Sequence, residues 1–170
     1  MPSSPAVFVA LGSNLGDREA NLRRALPRLE DRGFHTESLS SLYLTEPVGG
    51  PPQDWFVNAV AGGDTALSPE DLLAACLEVE QEAGRVRGPR HGPRPLDLDL
   101  LLYGDEVRQT PTLTLPHARL ADRLFVLVPL EEIAPDRRHP VLGLTVRELR
   151  RRCPDRSEVR RLETAPRNDR

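Results

Sequence analysis

The apolar positions fall into short blocks with two different periods. Residues 6–11, AVFVAL, are a continuous apolar run of buried-strand length, closed by the turn-rich GSNLGD. From 17 to 32 the period changes. Leu22, Leu26 and Leu29 recur at spacings of four and three, which predicts a helix ended by Gly33. Pro27 inside that helix is expected to kink or divide it. Residues 34–47 alternate imperfectly and read as one long strand, and 48–54 (VGGPPQD) as a loop. Residues 55–65 (WFVNAVAGGDT) read as the next strand, with a bulge expected at the Gly pair.

The clearest helix is 68–84. Ser68 is placed to cap it, Pro69 to open it and Gly84 to stop it. Its apolar stripe reads Leu73, Cys76, Leu77, Glu80, Ala83, so a carboxylate sits where the core is expected. Residues 85–95 (RVRGPRHGPRP) are a Gly/Pro/Arg loop, and the next strand carries LDLDLLLY, 96–103. A short helical stretch follows within 115–135, and 144–153 predicts a further helix. The order β-α-β-β-α-β predicts an α+β, ferredoxin-like αβα sandwich, with helices packed on a largely antiparallel sheet. One domain is expected over 1–155, with 156–170 a charged, poorly ordered tail.

Composition changes this picture in three ways. The chain is net acidic at −3, with an aromatic fraction of 4%, which argues against a sheet that stacks nucleic-acid bases. All 23 of its basic residues are Arg, so any side-chain cation that meets a phosphate is Arg or His. Cys76 and Cys153 have no metal-like spacing and read as free thiols of a reducing cytosol. The N-terminus lacks the pattern of a signal segment and no apolar run is long enough to span a bilayer, so a cytoplasmic protein without a membrane partner is expected.

Candidate chemistry centres on 93–104, PRPLDLDLLLYG. Strand parity puts Leu96, Leu98, Leu100 and Leu102 on one face, and Asp97, Asp99, Leu101 and Tyr103 on the other. Two carboxylates about 6.6 Å apart along a strand suit divalent ions that also take phosphate oxygens. A half-buried strand with a polar outer face explains the same pattern. Arg85, Arg87, Arg90 and Arg94 precede it in a loop with no acid among them, which suggests a magnesium-bound polyphosphate. Further along, His117 is followed by Arg119 and Arg123, again an anion-binding pattern. Asn58 shares a strand face with Phe56, a pair able to read and stack a polar heterocycle, or equally a satisfied core amide beside a core aromatic. Glu80 needs a partner, either a structural Arg or the site itself. A nucleotidyltransferase also accommodates a D-x-D strand.

The segments ALGSNLGD (10–17), SSLYLTEPVGGPPQDWFVNAV (40–60), GRVRGPRHGPRPLDLDLLLYGDEV (84–107) and LPHARLADRLFVLVPLEEIAPD (115–136) together resemble the 6-hydroxymethyl-7,8-dihydropterin pyrophosphokinase family of folate biosynthesis. The resemblance implies transfer of pyrophosphate from ATP to the hydroxymethyl oxygen of the pterin, giving AMP. It implies two Mg²⁺ held by Asp97 and Asp99, with Arg85, Arg94, Glu80 and His117 among the catalytic residues. Leu73, Arg87, Arg90, Leu100, Thr114, His117 and Arg123 match ATP-contacting positions. Thr45, Pro47, Val48, Phe56, Asn58 and Phe125 match the pterin pocket, with the two Phe rings sandwiching the pterin. Loops 48–54 and 85–93 match mobile loops that close over the substrates, although the second loop is about one residue shorter than in one member of the family, which has Trp where His91 stands, and Gly88 occupies a commonly basic position. Small-molecule substrates and a monomer are expected.

Overall fold

The computed structural model describes residues 6–48, 52–84 and 93–162. β1 (Val7–Ser13) is buried along its whole length, because it lies inside the sheet with helices on either side. α1 (Arg18–Asp31) follows, opened by Asp17, whose side chain accepts from the Ala20 N–H. Pro27 does not divide it. The ring lies on the exposed side, where the carbonyl left without an N–H donor can meet water.

The span 34–47 is two strands, not one: β2 (Phe34–Leu39) and β3 (Tyr43–Thr45). Both pair antiparallel with β4 (Phe56–Thr65). The break falls at Ser40, whose hydroxyl accepts from the Val60 N–H at 2.9 Å and so replaces a ladder carbonyl. The bulge expected near Gly62-Gly63 is present, with the extra residue on the β2 side between Thr36 and Ser38. Gly63 is required there, since a Cβ would sit 1.9 Å from the His35 carbonyl oxygen.

α2 (Pro69–Glu82) is capped by Ser68 as its sequence suggests, and the chain leaves it through Gly84 at φ +90°. Its buried stripe is Leu72, Ala75, Cys76, Val79 and Glu80, rotated from the expected one, and Leu77 faces solvent. β5 (Asp97–Tyr103) pairs with β1, giving a sheet of order β5-β1-β4-β3 with β2 also on β4 and a last strand added beyond β3. A short hairpin, β6 (Arg108–Gln109) and β7 (Thr114–Leu115), leads to α3 (Leu124–Ile133) and α4 (Val146–Arg152). β8 (Val159–Arg161) then pairs antiparallel with β3. The tail expected to be unstructured from 156 is therefore a sheet strand over part of its length, because β3 offers it a free edge; 163–170 lie outside the described residues.

Two hydrophobic clusters sandwich the sheet. One packs α1 and α2 on Val9, Leu11, Val57, Ala59, Leu98 and Leu100. The other packs α3 and α4 on Phe8, Ala10, Val60, Leu101 and Leu102. The parity reading of 96–103 holds from Leu96 through Leu101 and fails at Leu102 and Tyr103. A bulge opposite Phe8/Val9 shifts the register, so Leu102 joins the second cluster and Tyr103 the first.

Candidate active site

α3 and α4 cover only part of their sheet face, and the uncovered end is a cleft of about 420 Å³. Strand pairing lays out its floor. Asn58, Gly12 and Asp97 align across β4, β1 and β5, and Val60, Ala10 and Asp99 form the next row. The middle residues, Gly12 and Ala10, are the smallest, so the floor is hollow between the amide on one side and the two carboxylates on the other. Asp97 and Asp99 are both partly exposed and line this hollow, as strand parity requires, while Leu98 between them is buried in the opposite core.

Two further elements build the walls. β3 and the residues after it supply Thr45, Glu46, Pro47 and Val48, and Gln53 and Phe56 complete that side. The Asn58 side-chain N–H donates to the Thr45 hydroxyl at 2.6 Å, which fixes the amide with its oxygen towards Gly12. Opposite, Phe125 and Arg123 project from the start of α3. The Arg123 guanidinium lies 5.4 Å from the Phe125 ring centroid, and burial lowers its pKa. Both Phe56 and Phe125 line the cleft.

His117 is held on three sides. Its backbone N–H donates to the Leu101 carbonyl at 3.0 Å, its ring Nδ1 accepts from the Arg119 N–H at 3.1 Å, and its Nε2 lies 3.8 Å from Asp99 Oδ1. With Nδ1 accepting, the neutral ring carries its proton on Nε2, the atom that faces the cleft. Arg94 and Arg119 bring two more cations. The Arg94 backbone is bonded by Asn14 in both directions, through Asn14 N to Arg94 O at 3.0 Å and Arg94 N to Asn14 Oδ1 at 2.7 Å. The Asn14 amide also donates to Gln53 Oε1 at 2.5 Å, so one buried residue ties both flanks of the cleft.

The donor set fits magnesium. Among the described residues no group of three or more His, Cys, Asp and Glu forms a closed cage. Mg²⁺ is commonly bound by one or two carboxylates, with substrate phosphates filling the rest of its shell, and Asp97 and Asp99 supply that partial set in an open cleft.

The family model for 7,8-dihydro-6-hydroxymethylpterin-pyrophosphokinase matches residues 8–135. The chain belongs to this family. A curated 2-amino-4-hydroxy-6-hydroxymethyldihydropteridine pyrophosphokinase of Pseudomonas aeruginosa is 46% identical over 150 residues, covering 87% of this chain and 91% of that one. Its counterpart in Methylorubrum extorquens is 43% identical over 157 residues, covering 92% and 98%. Among solved structures, an HPPK-DHPS in complex with substrates superposes with a TM-score of 0.68 at 12% identity. The match covers 88% of this chain and 43% of that longer one, and it supports the ferredoxin-like fold.

Within this pyrophosphokinase, the cleft gathers Thr45, Pro47, Val48, Phe56, Asn58, Arg94, Asp97, Asp99, His117, Arg123 and Phe125. Four other candidate residues have side chains elsewhere. Glu80 is 2% exposed on α2 and accepts from the Leu98 N–H at 2.6 Å, on the far side of β5 from the cleft. It positions the strand between the two aspartates. Leu100 is buried in the α1/α2 core because the pleat turns it away from Asp99, and Leu73 packs against that same core. Thr114 lies on the β6–β7 hairpin and does not line the cleft. Arg85, Arg87 and Arg90 lie outside the described residues.

Sequence reasoning did not single out Gly12, Asn14, Glu46 or Gln53. Only Asn14 carried a usable signal, a polar residue directly after a fully buried strand. The others are site residues through pairing register and loop path alone.

Proposed function

We propose that this protein transfers pyrophosphate from ATP to the hydroxymethyl group of 6-hydroxymethyl-7,8-dihydropterin, giving AMP and the pterin pyrophosphate for folate biosynthesis. The observation that carries this reading is the split character of one cleft. Two aromatic rings and a fixed amide occupy one end, while two carboxylates with Arg94, Arg119 and His117 occupy the other.

The pterin lies between Phe56 and Phe125, with its polar edge on Asn58 and the Thr45 side. This leaves its hydroxymethyl arm over Gly12, directed to Asp97 and Asp99. The triphosphate lies across the aspartates, with Arg94 and Arg119 taking oxygen charge. Asp97 and Asp99 would hold two Mg²⁺, which when bound would neutralise phosphate charge and acidify the alcohol. The hydroxymethyl oxygen forms a bond to the β-phosphorus as the bond to the α,β-bridging oxygen breaks, AMP leaves, and the alcohol proton is released. His117 donates from Nε2 to a non-bridging oxygen, and its accepting Nδ1 holds it in that role. Arg85, Arg87 and Arg90 add charge from their loop, and Glu80 holds β5 in register from behind. The adenine lies along the outer edge of β5, beside the Leu100 backbone, with Leu73 and Thr114 flanking it.

The protein acts as a monomer, with residues 6–162 as one catalytic unit. No helix of the described residues is long and apolar enough to cross a membrane, and the two buried free thiols support a place in the cytoplasm. The test is product analysis. Incubation with ATP, Mg²⁺ and the pterin alcohol should yield equimolar AMP and pterin pyrophosphate, whereas free pyrophosphate or ADP as the nucleotide product would overturn the assignment.

A further inference from the structure

The cleft's aromatic wall is held by residues that lie beyond the stretch matched by the family model, which ends at 135. α3 has no capping side chain of its own, since Arg123 stands at its N-cap position without a side-chain hydrogen bond. The missing acceptor comes from the C-terminal segment. Asp155 Oδ2 accepts from the Leu124 N–H at 3.0 Å, and Oδ1 accepts from the Ser157 N–H at 2.8 Å. A carboxylate at that end also meets the positive pole of the helix. Burial alone raises the Asp155 pKa, but the hydrogen bonds from Ser157 and Leu124, with Arg156 nearby, bring it below the usual carboxylate value. The capped residue is flanked by Arg123 and Phe125, the two α3 side chains that line the cleft.

The same segment then reaches the opposite wall. Glu46 N donates to the Glu158 carbonyl at 3.0 Å, and Glu158 N donates to Glu46 Oε1 at 2.9 Å. β8 continues along β3, with Val159 opposite Thr45, and Leu162 N closes on Leu42 O at 2.9 Å. Within eight residues the chain thus caps the helix bearing Phe125 and pairs with the strand bearing Thr45.

We infer that 155–162 is a strap that sets the width of the pterin end of the cleft, with Asp155 as the positioning residue that places Arg123 and Phe125. This rests on the proposal that the pterin lies between Phe56 and Phe125. The strap acts chiefly on the pterin, because the aspartates, Arg94 and His117 hang from β5 and the loops beside it; Arg123, which the family resemblance sets against ATP, carries a smaller effect to the phosphate end.

Steady-state kinetics on the full chain separate the two substrates. Loss of a helix cap of ordinary strength in Asp155→Ala should raise the KM for the pterin by about tenfold and the KM for ATP, through Arg123, by no more than about threefold. Asp155→Asn keeps one acceptor oxygen and should recover most of the loss. Melting curves set the assay temperature well below each variant's transition, so that only folded protein is compared. Hydrogen exchange on the unmodified chain is the second measurement and depends on no variant. The pterin alone should slow exchange at Leu124 and across 159–162 more than an ATP analogue alone does. Equal shifts in both KM values, or unchanged protection of these amides with the pterin bound, would overturn the strap. Failure to convert the pterin at all would instead overturn the assigned reaction.

Discussion

Gly12→Ala tests the hollow floor directly. An added Cβ would lie 2.5 Å from Asn58 Oδ1 and 3.7 Å from Phe56 Cδ2. The second contact is ordinary; the first is far inside van der Waals range. Asn58 is buried and held by its 2.6 Å bond to Thr45, so its amide can yield only by breaking that bond. Overpacking costs about 1–3 kcal/mol, and a displaced buried hydrogen bond about 1 kcal/mol more. The fold should therefore lose about 2–4 kcal/mol on adding the two costs. The amide proposed to read the pterin edge moves with it, and losing one or two such bonds should weaken pterin binding by about 5- to 100-fold. The ATP side should change little, because the three atoms nearest the new methyl are all on Asn58 and Phe56. The assay is the KM for each substrate with the other saturating, alongside urea denaturation. The decisive arm is a double variant. In an Asn58→Ala background the clash is gone, so Gly12→Ala should be nearly silent in both readouts. If the two substitutions instead add, the contact between Gly12 and Asn58 does not limit the site.

Asp97→Asn and Asp99→Asn should each lower kcat by at least about 100-fold, the scale of a lost transition-state electrostatic contact. Titration with Mg²⁺ at fixed ATP should show the requirement moved to higher concentration, and near-normal rates at any Mg²⁺ level would remove both carboxylates from the reaction. Glu80→Ala strands the Leu98 N–H in the core and should cost about 1–3 kcal/mol of stability with a fall in kcat, measured by urea denaturation and initial rates. A variant with full stability and a changed substrate KM would instead mean that Glu80 contacts substrate.

Much of the fold was legible because its helices and central strands carry strong local signals. Ser68, Pro69 and Gly84 bound α2 by capping chemistry that acts within a few residues. The alternation in LDLDL placed Asp97 and Asp99 together on the face opposite Leu98, since the pleat leaves no other choice. The family motifs then identified most of the cleft. Local pattern was silent where distant chain decides. The split of 34–47 depends on Ser40 bonding to Val60, twenty residues on, and the bulge in β5 depends on β1. β8 reads as a solvated tail because Val159–Arg161 has two arginines and a single apolar residue; it is a strand because β3 presents an unpaired edge beside it. Residue chemistry and strand parity thus determined which groups line the cleft. Their spacing, the hollow at Gly12, and the ties through Asn14 and Asp155 were decided only by tertiary structure, because hydrogen-bond register between remote segments leaves no trace in local sequence.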